Sequence, residues 1–155
     1  MEVNPTLTWL FEKYQENPNA SWDISECFNS EISHPSHHIH ALGNYLVQKG
    51  FVRNPTHLDT GGFTCSITTH GIVQVSDVLN EVKYLILEAA IEQDRFSVMD
   101  ILDVDPNHLK RAHDYTNYLK RTGIIECIFH KDDILATPTF YGREWYNANK
   151  RTYAN

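Results

Sequence analysis

The chain repeats part of its own sequence, and this repeat constrains the fold more than any other feature. The stretch HALGNYLVQKGFV begins at His40 and HDYTNYLKRTGII begins at His113, so the two copies lie 73 residues apart (113 − 40). Both carry Asn-Tyr-Leu in the middle, and both end on Gly followed by two apolar residues that favour strands. A repeat of this length predicts one structural module that is encoded twice.

The size and composition of the chain are compatible with two small domains. It has 155 residues, of which 41% are hydrophobic and 21% charged, close to the averages for globular proteins. Its three scattered cysteines form no Cys-x-x-C pair, so we expect neither a disulfide framework nor a cysteine zinc site. The densest apolar run, residues 84–87, is far shorter than the roughly 20 residues of a membrane span. We therefore expect a cytoplasmic protein with no membrane segment.

Hydrophobic spacing and turn residues predict the same order of elements in each half. The first half has helices at residues 4–17, 25–30 and 35–49, a short extended piece at 21–24, and a hairpin whose strands begin at Phe51 and Phe63. Asn4 is the expected cap of the first helix. The second half has helices at 82–93, 99–102 and 105–122, a short strand at 95–98, a hairpin formed by 124–129 and 134–137, and a final helix at 140–150. Leu85 on the first of these helices is expected to face inward, and Phe140 and Tyr141 on the last are expected to close the second core. A linking helix at residues 71–79 would hold the boundary between the halves.

This order resembles that of winged helix-turn-helix domains. The matching residues are the leucine and Gly at the end of the repeated helix, the two strand-forming residues, the hairpin tip, the second strand and a closing segment of the type Thr-x-Gly, in which residues 67–71 correspond to residues 137–142. The resemblance implies a mainly α fold with small β-hairpins (α+β), arranged as two tandem winged-helix domains at residues 1–76 and 77–155. The alternative is a single α+β domain in which the repeat has arisen by chance.

In a winged-helix domain the third helix packs one face on the core and offers the other to the major groove of DNA. In the second copy, the core face would carry Leu109, Ala112, Thr116 and Leu119. The residues expected to contact double-stranded DNA, from this helix and the hairpin tip, are Lys110, Arg111, Asn117, Lys120, Arg121 and Lys131. The same pattern also fits an ordinary solvated helix, since Lys110 and Asp114 have the spacing of a favourable ion pair.

The first copy carries different chemistry on the corresponding face. His37, Asn44 and Gln48 stand where the second copy has Lys110, Asn117 and Arg121. Residues 1–79 contain three cations against eight acidic side chains, whereas residues 80–155 contain ten against twelve. Because DNA is held mainly through phosphate neutralisation, the first domain is better suited to contacting a protein partner.

Nine histidines are present, and four of them fall within residues 34–40. His34, His37 and His38 have helical spacings that can hold zinc or nickel, which raises a metal-responsive regulator as a third hypothesis. No carboxylate or cysteine follows at ligand spacing, and His40 has a counterpart in His113 in the copy that lacks the cluster. We therefore expect no bound metal or other cofactor.

No catalytic motif is present, neither a phosphate-binding glycine loop, nor His-Glu-x-x-His, nor a nucleophile elbow, so we expect no catalytic residues and a protein that is not an enzyme. The leading hypothesis is a DNA-binding, transcriptional-regulator-like protein whose reading helix lies in the second domain. The alternative is an acidic protein–protein interaction adaptor that does not bind DNA. Self-association as a homodimer stays open under both.

Overall fold

The chain divides into two compact units, Met1–Ser76 and Asp77–Asn155. The computed structural model describes residues 2–28, 36–93, 97–102, 108–130 and 133–153. Within these ranges each unit is α+β, with helices on a small antiparallel sheet of three strands in the first unit and two in the second. No helix in the described ranges has both the length and the apolar character that spanning a bilayer requires.

The first unit places three helices around a three-stranded sheet. Its sheet order is β1-β3-β2, so the last strand of the hairpin lies in the centre and pairs Trp22 with Cys65 on one side and Val52 with Ile67 on the other. The elements are α1 (Val3–Glu16), β1 (Trp22–Asp23), a 3-10 turn (Ile24–Cys27), α2 (Ser36–Gln48), β2 (Val52–His57), β3 (Phe63–Ile67) and α3 (Thr69–Val75).

The second unit repeats that order with a simpler sheet. β4 and β5 pair in continuous register from Ile125–Pro138 to His130–Asp133. Ser97 forms an isolated bridge to Leu135, on the side of β5 where β1 lies in the first unit. The elements are α4 (Val78–Ile91), α5 (Val98–Leu102), α6 (Leu109–Arg121), β4 (Ile125–His130), β5 (Asp133–Pro138) and α7 (Phe140–Tyr153).

In both units the same turn connects the long helix before the hairpin to the first strand. Gly50 and Gly123 have φ values of 75° and 77°, a left-handed conformation that glycine adopts without steric cost. The next amide then donates back to the last turn of the helix, Phe51 to the Leu46 carbonyl at 2.9 Å and Ile124 to the Leu119 carbonyl at 3.0 Å. Such hydrogen bonds satisfy carbonyl groups in the last helical turn that have no partner within the helix. The first strand of the hairpin begins directly after this turn.

A threonine at the end of each hairpin fastens it to that turn. Thr68 Oγ1 donates to the Gly50 carbonyl at 2.6 Å, and Thr139 Oγ1 donates to the Gly123 carbonyl at 2.5 Å. Each hydroxyl oxygen also accepts from a glycine amide, Gly71 N at 3.1 Å or Gly142 N at 3.0 Å. One side chain therefore caps the following helix and ties it to the end of the preceding one. We call this arrangement the threonine–glycine clasp.

The clasp brings two backbone segments close together. This close approach explains why the last residue of each four-residue segment, 68–71 and 139–142, is glycine. A Cβ atom on Gly71 would collide with the Phe51 carbonyl oxygen, and one on Gly142 would collide with the Ile124 carbonyl oxygen. Both obstacles are backbone atoms, so a side chain could be accommodated only by moving the strand away from the helix.

Each unit has its own apolar core beneath the clasp. In the first unit Leu46, on α2, and Phe63, on β3, are fully buried, and Leu119 and Ile134 are fully buried at the corresponding positions of the second. The larger completely or nearly completely buried side chains are Leu7, Leu10, Ile24, Ile39, Leu46, Phe63 and Ile72 in the first unit, and Ile86, Leu87, Leu119, Ile125 and Ile134 in the second.

The helix boundaries differ from the sequence prediction at several points, of which three concern how helices begin. The linking helix expected at residues 71–79 is two helices, because Ser76 is extended and α4 begins at Val78 rather than Val82. Thr68 accepts from the Gly71 amide and so starts α3 earlier than expected. The α1 helix begins at Val3, so Asn4 lies inside it and is not its cap.

The expectation about aromatic burial at the last helix was wrong. Phe140 and Tyr141, expected to close the second core, are each 71% exposed, whereas Tyr146 is 4% exposed. Both exposed residues lie at the start of α7, and Gly142 rather than an aromatic residue makes the close approach to β4. Leu85, expected to face inward, is 43% exposed, while its neighbours Ile86 and Leu87 are buried.

Replacing Gly142 by alanine is predicted to destabilise the protein by about 2 kcal/mol, since the new Cβ must displace the Ile124 carbonyl and overpacking of this kind costs roughly 1–3 kcal/mol. Urea unfolding followed by circular dichroism measures the change. The matched control is Arg143→Ala, at an exposed position of the same helix turn, which should stay within about 0.5 kcal/mol of the parent. Equal stability of the two variants would contradict the role given to the clasp.

Candidate nucleic-acid interface

The α6 helix has a buried face that includes three of the four residues predicted for it. Ala112, Thr116 and Leu119 have no exposed surface and Tyr115 is 4% exposed; only Leu109, expected on the same face, is half-buried. Thr116 Oγ1 donates to the Ala112 carbonyl at 2.6 Å, which satisfies the hydroxyl inside the core. The opposite face of α6 is therefore fixed in orientation by its packing.

The predicted DNA-contacting residues are not equally accessible on that opposite face. Lys120 and Arg121 are exposed, whereas Lys110, Arg111 and Asn117 are half-buried. The two exposed cations lie in the last turn of α6, where positive charge also interacts favourably with the helix dipole. Lys131 lies outside the described residues.

Lys110 is engaged in an ion pair within the helix. Its Nζ lies 2.7 Å from Asp114 Oδ2, and the two side chains are 32% and 17% exposed. The short distance places the Asp114 carboxylate directly beside the ammonium group, so much of the Lys110 charge is compensated locally. The spacing had indicated this pair; its partial burial could not be read from the spacing.

The C-terminal end of α6 lies beside the hairpin. Burial raises the pKa of the Cys127 thiol, and the nearby Lys120 ammonium opposes that effect. Two turns earlier on α6, the His113 ring stacks on Phe129 of β4, with centroids 4.7 Å apart and an angle of 12° between the planes. The helix and the hairpin of the second unit thus form a joined surface that carries Lys120 and Arg121.

The sequence did not single out the exposed apolar residues of this hairpin. Ile128 is 67% exposed, and Phe129 and Leu135 are each 40% exposed. A signal was present: a strand with one solvated face alternates apolar and polar residues, but Ile125-Glu126-Cys127-Ile128-Phe129 has apolar residues on both faces.

On the first unit, the residues expected to contact a protein lie on one exposed face. His37, Asn44 and Gln48 are all exposed on α2. Asn44 Oδ1 lies 3.2 Å from His57 Nε2, so the face continues onto β2. The His57 ring also meets the His40 ring edge-on, with centroids 4.6 Å apart.

The histidine cluster makes contacts within the first unit. His38 Nε2 lies 2.6 Å from Glu2 Oε2, and His40 Nε2 lies 3.1 Å from the Gly62 carbonyl oxygen. Among the described residues, no three histidine, cysteine or carboxylate side chains are grouped so that they could hold a metal ion. His34 lies outside the described residues, and no contact among the residues that are described favours the metal-responsive hypothesis.

Burial raises the pKa of each cysteine thiol in the described residues. Burial, followed by the charge of Asp23, raises the pKa of Cys65 to about 12. Burial also raises the pKa of Cys27, on the 3-10 turn. Since the thiolate is the reactive species, these environments disfavour cysteine nucleophiles.

Comparison with known proteins adds no family to these observations. No protein-family model matches the chain, and no curated protein is similar enough to count as a match.

The Tyr115 phenol gives a test of how α6 is seated. Burial, with a smaller contribution from Asp114 and against the effect of Arg111, raises the pKa of Tyr115 to about 12 from an ordinary value of 10.0. Because the folded pKa exceeds the unfolded one, stability is unaffected below pH 10 and is lost as the pH rises from 10 towards 12. We predict that Tyr115→Phe loses less stability between pH 8 and pH 11 than the parent, as measured by urea midpoints.

Some alkaline loss should remain in that variant, since a hydrogen bond with Glu88 raises the pKa of Tyr84 to about 12 as well. Tyr141→Phe is the control, because the Tyr141 side chain is 71% exposed, and its loss between the two pH values should equal that of the parent. An equally large loss in Tyr115→Phe would contradict the burial of this phenol against the core.

Proposed function

We propose that each unit is a winged-helix domain and that the chain is a tandem pair of them. The support is the repeated order of helix, short extended segment, short helix, long helix and hairpin. The threonine–glycine clasp, found at the same point of both units, adds a detail that chance similarity of element order would not supply. In this assignment α2 and α6 are the third helices and the two hairpins are the wings.

We further propose that the second domain binds duplex DNA through α6 and that the protein acts as a non-enzymatic, regulator-like DNA-binding protein. The observation that carries this proposal is the division of α6 into a buried core face and an accessible face with Arg111, Asn117, Lys120 and Arg121. Arg and Asn can pair with guanine and adenine edges in the major groove, and Lys and Arg neutralise phosphates.

Because Lys110 is in an ion pair, the cations of α6 are not expected to contribute equally to DNA affinity. Contact between Lys110 and a phosphate must compete with Asp114, which lies 2.7 Å from the ammonium group. Lys120 and Arg121 are exposed and lie beside the hairpin, so they are expected to contribute more to DNA affinity than Lys110 does.

The double variant Lys120→Ala/Arg121→Ala is predicted to weaken binding to mixed-sequence duplex DNA. The slope of log affinity against log salt should fall by about two, one for each phosphate contact removed. Fluorescence anisotropy over a salt series measures both quantities. Lys49→Ala is the matched control, because Lys49 follows the last residue of α2, at the corresponding end of the first unit, and its removal should leave the slope unchanged.

A second candidate function is an adaptor that contacts proteins and not DNA. The observation that favours it is the exposed, uncharged α2 face with His37, Asn44 and Gln48, in a half of the chain with few cations. Failure of the parent protein to bind duplex DNA even at low salt would reject the DNA proposal and favour the adaptor. A double variant that binds DNA with unchanged affinity and slope would reject α6 as the contact surface.

A further inference from the structure

The hairpin of the second unit has an outward face that is apolar at its centre. Ile128 on β4 and Leu135 on β5 stand opposite each other in the ladder and are 67% and 40% exposed. A shallow groove of about 320 Å³ runs past them and is lined by Glu126, Cys127, Ile128, Leu135 and Thr137. Neither proposed function uses this face.

The strand that carries Ile128 lies at the edge of its sheet. Among the described residues β4 pairs only with β5, in an unbroken register of six residue pairs. Alternate residues of a strand direct their backbone groups to opposite sides, so part of the β4 backbone faces away from β5. A regular edge strand with exposed apolar side chains is a ready template for pairing with another strand.

The corresponding strand of the first unit carries features that prevent such pairing. Pro55 stands where β4 has Ile128, 73 residues later (128 − 55). The register of β2 is also irregular between Arg53 and Thr56, and Asn54 within it has a φ of 55°. Proline and bulges are common means of protecting sheet edges, and the absence of both within β4 sets the two hairpins apart.

We propose that this edge is a self-association surface, on which β4 pairs antiparallel with β4 of a second copy of the chain about a two-fold axis at Ile128. In this register Ile128 faces Ile128 of the second copy, and residues at equal distances before and after it face each other. Glu126 therefore faces His130 of the second copy, and the symmetry makes this contact twice.

Charge and polarity select this register over its neighbours. Centring the axis on Cys127 would place Glu126 opposite Ile128, and centring it on Phe129 would place Ile128 opposite His130. Only the register centred on Ile128 pairs apolar with apolar and an acidic with a basic side chain. His130 also faces Asp133 across its own hairpin, so Glu126 of the second copy would place the imidazole between two carboxylates.

The paired hairpins would form a four-stranded sheet with one apolar row across its outer face. That row would run from Leu135 to Ile128, then to Ile128 and Leu135 of the second copy. It would bring the Ile128 side chains of the two copies into contact and so reduce the exposure of the more exposed residue of the row. Two paired strands of six residues form a small interface, at the lower end of the range for specific protein contacts. The dimer should therefore dissociate reversibly.

The charge pairing can be tested with two variants, each of which should dimerise weakly alone but which should associate with each other when mixed. Glu126→Lys places a lysine opposite His130, and His130→Glu places two carboxylates opposite each other. Each variant alone should dimerise roughly tenfold more weakly than the parent, because Glu126→Lys removes both symmetric acid–base contacts and His130→Glu replaces them with two pairs of carboxylates. An equimolar mixture should recover association, since each variant supplies the charge that the other lacks.

Sedimentation velocity over a concentration series measures association of the parent, both variants and their mixture. Recovery in the mixture supports the proposed register. Weakening without recovery, or undiminished dimerisation of both variants, overturns it. Since all four samples are the full chain and no DNA is present, failure here does not bear on DNA binding by α6.

Cross-linking tests the position of the axis independently of charge. Ile128→Cys in a Cys127→Ser background should form an intermolecular disulfide, since directly opposite Cα atoms in an antiparallel pair lie about 4.5–5.5 Å apart, within disulfide range. Thr137→Cys in the same background is the control, because Thr137 is exposed on β5 and takes no part in the proposed contact. Its two copies would be separated by three strand spacings, roughly 14 Å. The proposal would be contradicted if the parent protein is monomeric and the Ile128→Cys variant forms no cross-link. That result would favour an extended segment of a different protein as the partner of this edge.

Discussion

The threonine–glycine clasp is the interaction on which the rest of each unit depends. It ties the end of a hairpin to the end of the preceding helix through one hydroxyl group, with Thr68 in the first unit and Thr139 in the second. A glycine three residues later lets the following helix lie against the strand. The clasp thus joins the helix before the hairpin, the hairpin and the following helix. As a result, the first of these helices packs one face against the core and exposes the other beside the strands.

From this shared framework the two units present different surfaces. The outward face of α2 is uncharged at its His37, Asn44 and Gln48 positions, and its hairpin edge is interrupted by Pro55. The outward face of α6 ends in Lys120 and Arg121, and β4 beside it is regular and apolar. We interpret this difference as one scaffold with two tasks, in which DNA binding and self-association are proposed for the second unit.

The sequence predicted the features that depend on local chemistry. Glycine after each long helix, the closing segment with its threonine and glycine, and the buried face of α6 all follow from spacing and backbone preference. Exposure at the start of α7 did not, because Phe140 and Tyr141 lie at a helix start whose direction is set by the contact of Gly142 with β4. The engagement of Lys110 by Asp114 and the accessibility of Ile128 likewise depend on packing between elements that are distant in sequence.

The central claim is that the threonine–glycine clasp holds α2 and α6 in the same way in their respective units, and that of these two helices only α6 contacts DNA, through its cations. Amide chemical-shift mapping of the full chain during titration with duplex DNA tests it most directly. We predict salt-sensitive shifts that concentrate on α6 and the β4–β5 hairpin while the amides of α2 remain unchanged. Shifts centred on α2, or no shifts at low salt, would contradict the claim.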